Sequence, residues 1–82
     1  GRVVIDKNQR LARVTESLRE HFQGMLDASR EMAALAAEMD LEFAAKENAE
    51  ILTDLVLMSG TVRMLESDVV AYFSLRAEGR IE

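Results

Sequence analysis

The chain has no cysteine, no proline and no tryptophan, and its 82 residues include only four glycines and one histidine. Without cysteine there is no disulfide scaffold, no thiolate nucleophile and no cysteine-based zinc site. A single histidine does not make a histidine metal cluster. The lack of proline, with so little glycine, argues against a turn-rich β-fold. No apolar run approaches the roughly 18 residues needed to span a bilayer. Near the N-terminus, Val3-Val4-Ile5 falls short of the apolar core of a signal peptide, about 7 residues or more. The expected setting is cytoplasmic, with no membrane span.

What remains is rich in helix formers. Apolar residues make up 49% and charged residues 30%, too apolar for a disordered tail and too charged for a membrane protein. The net charge of −5 is unevenly spread: residues 1–30 are mildly basic, whereas residues 31–68 hold nine carboxylates against two basic groups. A protein acidic overall repels phosphate, which disfavours nucleic acid as a partner. The basic stretch Arg2, Lys7, Arg10, Arg13 and Arg19 offers weak nucleic-acid binding as an alternative, but Asp6, Glu16 and Glu20 interrupt it. A solvated helix face is the simpler reading.

Asp6 is placed to accept from the first free amides of a helix, with Gln9 three residues on, as in a capping box. From Lys7 onward the apolar period is helical. Leu11, Leu18, Met25, Met32 and Met39 recur every seven residues, and Val14, His21, Ala28 and Leu35 follow three residues later. That is a heptad seam. Phe22, Leu26, Ala33, Ala36 and Phe43 widen it. A second seam runs through Ile51, Leu55, Met58, Val62, Leu65, Val69 and Tyr72.

The two seams are out of phase. Met39 to Ile51 is two residues short of two heptads, which rotates the stripe by roughly 200° in one straight helix. A turn or bend between about 40 and 50 lets both stripes face one core. Asp40 is a candidate cap for a second helix there, and Asn48 a second break point. Gly60 stays in phase and reads as a close helix contact rather than a turn. Ala77-Glu78-Gly79-Arg80 reads as a helix stop.

The expected fold is all-α, one helical domain over 1–82. It has a helix near 7–39, a helix from about 42 to 77 and a flexible tail at 78–82, paired as an antiparallel hairpin. Two helices cannot enclose stripes this wide, and small domains are marginal alone. A second copy completing a four-helix bundle is the expected remedy. The alternative is one long coiled-coil helix. The residues expected at the oligomer or partner interface are Leu18, Met25, Met32, Leu35, Leu55, Met58, Val62 and Leu65.

The sequence offers little chemistry. His21 on a helix suggests the phospho-acceptor of a histidine kinase. Phe22 follows it where an acidic residue is needed, no proline comes after, and it lies on the seam, so a buried or boundary histidine is expected. Glu31, Glu38, Glu42, Glu47, Glu50 and Asp54 lack the Glu-x-x-His pairs of a di-iron bundle and the spacing of a calcium loop. They read as a solvated face, with Glu42 and Lys46 forming an i,i+4 pair. No phosphate loop or nucleophile elbow is present. Neither enzymatic activity nor a cofactor or metal is expected.

Met25, Met32 and Met39 share one heptad position, with Met58 and Met64 in the second half. Methionine adapts to partners of varied shape. An alternative role is therefore a helical chaperone or regulator that holds a partner helix in a Met-lined groove.

Residues 48–75 carry one family resemblance. Asn48-Ala49, then Ile51, Leu55 and Met58, and finally Leu65 with Val70-Ala-Tyr-Phe73-Ser-Leu75, resemble the C-terminal helix of bacterial chemoreceptor signalling domains. The spacing from Leu65 is one residue longer than in that family, and the family's hairpin-tip sequence is absent. The residues themselves read as a non-enzymatic oligomerisation or protein-interaction module, and the resemblance implies that it belongs to a bacterial signalling or scaffold protein.

Overall fold

A computed structural model describes residues 6–80 as two helices, α1 (Lys7–Glu38) and α2 (Glu42–Ala77), packed as an antiparallel hairpin. The fold is all-α, and among the described residues there is no strand. Arg2, the Val3-Val4-Ile5 run and the last two positions of the expected tail lie outside the described residues. The radius of gyration is 18.4 Å, against about 12 Å for a compact chain of this length. Two long helices side by side make a single layer, so each has one flank against its neighbour and the rest toward solvent.

The ends of α1 follow from side-chain and backbone chemistry. The Asp6 carboxylate accepts from the Gln9 amide at 2.9 Å, satisfying one of the free donors at the helix start. At the other end Asp40 adopts φ 56°. The Leu41 amide donates back to the Ala36 carbonyl at 2.9 Å and the Asp40 amide to Ala37 at 3.4 Å, the paired bonds of a Schellman stop. Asp40 therefore closes α1 and does not cap α2. The N-cap of α2 is Leu41, which makes no side-chain cap bond. Aspartate fills the left-handed position usually taken by glycine because its short side chain tolerates that geometry. This is why no Gly or Pro marks the turn.

A second Schellman stop ends α2. Gly79 has φ 77°, and the Arg80 amide reaches the Leu75 carbonyl at 3.0 Å. Gly60 lies within α2, and a Cβ placed there meets nothing within 4 Å. The close helix contact expected at Gly60 is absent from the hairpin. Asn48 likewise does not break the chain; it is buried within α2.

The hairpin seam is narrow. In α1 it comprises Thr15, Phe22, Leu26, Ser29, Ala33 and Ala36, and in α2 Ala45, Asn48, Leu52, Leu55, Ser59, Val62, Val69 and Phe73, all buried or half-buried. Steps of three and four on both helices keep these side chains in register along the crossing. Among the described residues the buried apolar ones are Leu26, Ala36 and Leu55. Small side chains at Ser29, Ala33, Ala36 and Ala45 sit near the turn and leave room for the helices to approach.

Two polar contacts fix the alignment. Ser29 Oγ donates to Asn48 Oδ1 at 2.9 Å, and Asn48 Nδ2 donates to the Ser29 carbonyl at 2.9 Å, both within the seam. At the open end, Asn8 is oriented with its amide nitrogen donating to Tyr72 Oη at 2.7 Å. Its oxygen then accepts from Arg76 Nη1 at 2.8 Å and Nη2 at 3.1 Å. Ion pairing adds little: Arg19–Glu66 and Arg80–Glu78 approach to 3.8 Å and are exposed enough to be solvent-screened. The expected Glu42–Lys46 pair is not among the ion pairs of the described residues.

Candidate interaction face

The seam read from α1's sequence is not the seam of the hairpin. Leu11, Leu18, Met25 and Met32 each sit four residues before a contact position (Thr15, Phe22, Ser29, Ala36), and they and Met39 are exposed, Met25 at 57% and Met32 at 46%. The contact is made instead by the set that widens that stripe: Phe22, Leu26, Ala33 and Ala36. Each residue advances the helix by about 100°, so the Leu11-to-Met39 column points about a quarter turn away from α2. Val14, His21, Ala28 and Leu35 lie one step further round and are exposed as well. Phe43, expected within the buried face, is 84% exposed beside the turn.

On α2, Ile51, Met58 and Leu65 are exposed and Tyr72 half-buried. They form a column about a quarter turn from that helix's seam. Because the helices are antiparallel, the two columns emerge on the same broad side of the hairpin. A shallow groove lined by Leu11 from α1 and by Leu65, Val69 and Tyr72 from α2 joins them directly. The opposite flank of α1 carries Arg13, Glu16, Glu20, Gln23, Asp27 and Arg30, with Gln23 Nε2 donating to Asp27 at 3.0 Å. One side of α1 is therefore aliphatic and the other is charged. Met64 also lines that groove, and further apolar side chains, Val56, Leu57 and Val70, are exposed elsewhere on α2.

Of the eight interface residues read from the sequence, Leu55 is 5% exposed and Val62 half-buried, both in the hairpin seam. Leu18, Met25, Met32, Leu35, Met58 and Leu65 are on the exposed side. The expectation of a buried or boundary histidine is overturned within the hairpin: His21 is exposed. Its Nδ1 lies 2.7 Å from the Ser17 carbonyl oxygen, so that nitrogen carries the hydrogen and donates.

Two groups important to the fold escaped the sequence reading. Ser29 and Asn48 are polar residues at seam positions, 19 residues apart and astride the turn. That placement was the available signal for their pairing. The Asn8–Tyr72–Arg76 cluster had no comparable signal, because its members lie at opposite ends of the chain.

Among the described residues no group of three or more His, Cys, Asp or Glu side chains is placed to hold a metal ion. No helix among them is long and apolar enough to cross a membrane. The basic residues of α1 do not form one surface: Arg19 turns toward Glu66 on α2, while Lys7, Arg10 and Arg13 fan around the outside of the helix. Fold and surface together define a helical hairpin with one uncovered aliphatic side. No protein-family model, curated protein or solved structure matches the chain.

Proposed function

We propose that the hairpin is a non-enzymatic oligomerisation module that pairs through its aliphatic side with a second copy of itself, forming a four-helix bundle. The observation that carries this reading is the exposure of Leu11, Leu18, Met25 and Met32 on the same side as Ile51, Met58 and Leu65. Water against these side chains is costly; fully burying each contributes about 1.5–3 kcal/mol. The hairpin seam alone, with three buried apolar residues among those described, is a poor core for two helices of this length. The resemblance of residues 48–75 to a chemoreceptor helix supports placing the module in a bacterial signalling or scaffold protein. There a shift of one helix pair against the other would carry the signal.

Sedimentation equilibrium of the chain across a dilution series tests the reading. The expected result is the mass of two chains at micromolar concentration, falling toward one on dilution. A single-chain mass at every concentration, with helicity intact, overturns it.

A second reading is capture of a partner helix by the Met25–Met32–Met39 column. It is favoured by the exposure of all three methionines of that column, flexible side chains that adapt to a partner's shape. A basic amphipathic helix suits the acidic half of the hairpin. Formation of a 1:1 complex with such a peptide, at the expense of the two-chain species, is its signature.

A further inference from the structure

We infer that the second copy lies with its turn at the opposite end of the bundle, α1 against α1 and α2 against α2, about a two-fold axis passing beside Met25. This rests on the two-copy reading above and adds its geometry. A two-fold axis allows two face-to-face arrangements of such hairpins. With the turns at the same end, α1 covers α2 of the second copy. With the turns at opposite ends, each helix covers its own counterpart.

The aliphatic side is lopsided, and that decides between them. On α1 it is two columns wide: Leu11, Leu18, Met25 and Met32, then Val14, His21, Ala28 and Leu35. On α2 it is one column wide, Ile51, Met58 and Leu65, and the next column is Glu47, Asp54, Thr61 and Asp68, all exposed. Laying α1 on α2 presses Val14 and Leu35 against carboxylates, which resist losing water. Laying α1 on α1 matches two apolar columns with two. It leaves the carboxylate columns at the wet edge.

Charge points the same way. From Glu31 to Asp54, the half nearest the turn, there are seven carboxylates and one amine, Lys46; the remaining described residues are close to balanced. Turns at the same end bring the two acidic halves together. Turns at opposite ends set each against the neutral to basic open end of the other.

The heptad positions then pair by symmetry. Leu11 meets Met39 of the second copy, Leu18 meets Met32, and Met25 meets Met25. Arg10, Gly24 and Glu38 share one column along the outer border of this stripe, so Arg10 meets Glu38 at both ends. At the middle is a shallow notch lined by Glu20, His21, Gly24, Met25 and Ala28. A Cβ at Gly24 would meet nothing within the hairpin, yet glycine weakens a helix. The notch receives Met25 of the second copy, and the missing side chain at Gly24 lets the α1 helices approach at the axis. Across the hairpin Ser29 is level with Asn48 and Asn8 with Tyr72, which sets Met25 level with Asp54. On α2 the same symmetry therefore places Asp54 opposite Asp54 of the second copy and Asp68 beside its acidic turn, exposed like-charge contacts.

The test uses cysteine and charge variants of the chain, which has no cysteine of its own. Met25→Cys should form a disulfide-linked dimer under mild oxidation. Met39→Cys alone should not, but mixed with Leu11→Cys it should cross-link. Glu38→Lys should weaken the dimer by roughly tenfold, since both symmetric pairs reverse at once. Adding Arg10→Glu should restore it, and Asp68→Lys should tighten the dimer. A dimer that tightens with Glu38→Lys, weakens with Asp68→Lys and leaves Met25→Cys unlinked has its turns at one end, and overturns the inference while leaving the two-copy reading intact. A wild-type chain that sediments as one copy overturns both.

Discussion

Ser29 and Asn48 form a reciprocal pair inside the hairpin, hydroxyl to side-chain amide oxygen and amide nitrogen to backbone carbonyl, each at 2.9 Å. Both residues are buried, and no described buried side-chain polar atom lacks a partner. A polar pair in a seam made mostly of apolar side chains contributes specificity more than energy. A slip of either helix by one turn leaves both groups buried without partners, which costs more than the contact gains.

Asn48→Ala should therefore lower stability by about 1–3 kcal/mol, because it strands the Ser29 hydroxyl in the seam. Ser29→Ala combined with Asn48→Leu should recover part of that loss while loosening the alignment of the helices. Urea unfolding of the three variants measures the first effect. Loss of a single set of sharp backbone amide signals in the double variant reports the second.

Leu55→Asp and Leu35→Asp should separate two roles. Leu55 is 5% exposed in the hairpin seam and Leu35 47% exposed on the aliphatic side. A carboxylate at position 55 has no partner and must be desolvated, so that variant should lose its helical structure. At position 35 the charge stays in water in a single hairpin but opposes pairing. The expected outcome is loss of the two-chain species, with a hairpin that melts earlier. Circular dichroism and sedimentation together distinguish the two.

The turn offers a third check. Asp40 sits at φ 56°, where a β-branched residue is strained by about 1–2 kcal/mol. Asp40→Val should lower the thermal midpoint. Asp40→Gly should leave it unchanged or raise it slightly, the relief of strain being offset by the freer unfolded chain. If Asp40→Val matches wild type, the Schellman stop is not what closes α1.

Gly60→Ala should stabilise the helix by about 1 kcal/mol, since the space around position 60 is open in the hairpin. A destabilised variant would place a partner surface against α2 at that point.

Much of the fold could be read from the residues. The Asp6 cap, the long run of helix formers and the Gly79 stop are local signals, and local chemistry decides them. Which stripe faces which partner is not local. Leu11, Leu18, Met25 and Met32 make the stronger heptad, yet α2 packs one step round, on Phe22, Leu26, Ser29 and Ala33. Small residues permit close approach there, and Ser29 needs Asn48. A wide apolar stripe contains two overlapping seams, and periodicity alone does not say which the neighbouring helix takes. The phase shift between helices, by contrast, required a break, and the turn at 39–41 lies at the near edge of the expected 40–50 interval. The phase shift misplaced the reason for the break because aspartate stands where glycine is usual.

The central claim is that the aliphatic side must be covered for the hairpin to hold its structure. Its most direct measurement is the thermal midpoint of the wild-type chain across roughly a thousandfold range of protein concentration, because pairing links stability to concentration by mass action. The account predicts a midpoint that climbs steadily with concentration and helicity that fades at the dilute end. A midpoint that does not move, in a chain fully helical throughout, contradicts it.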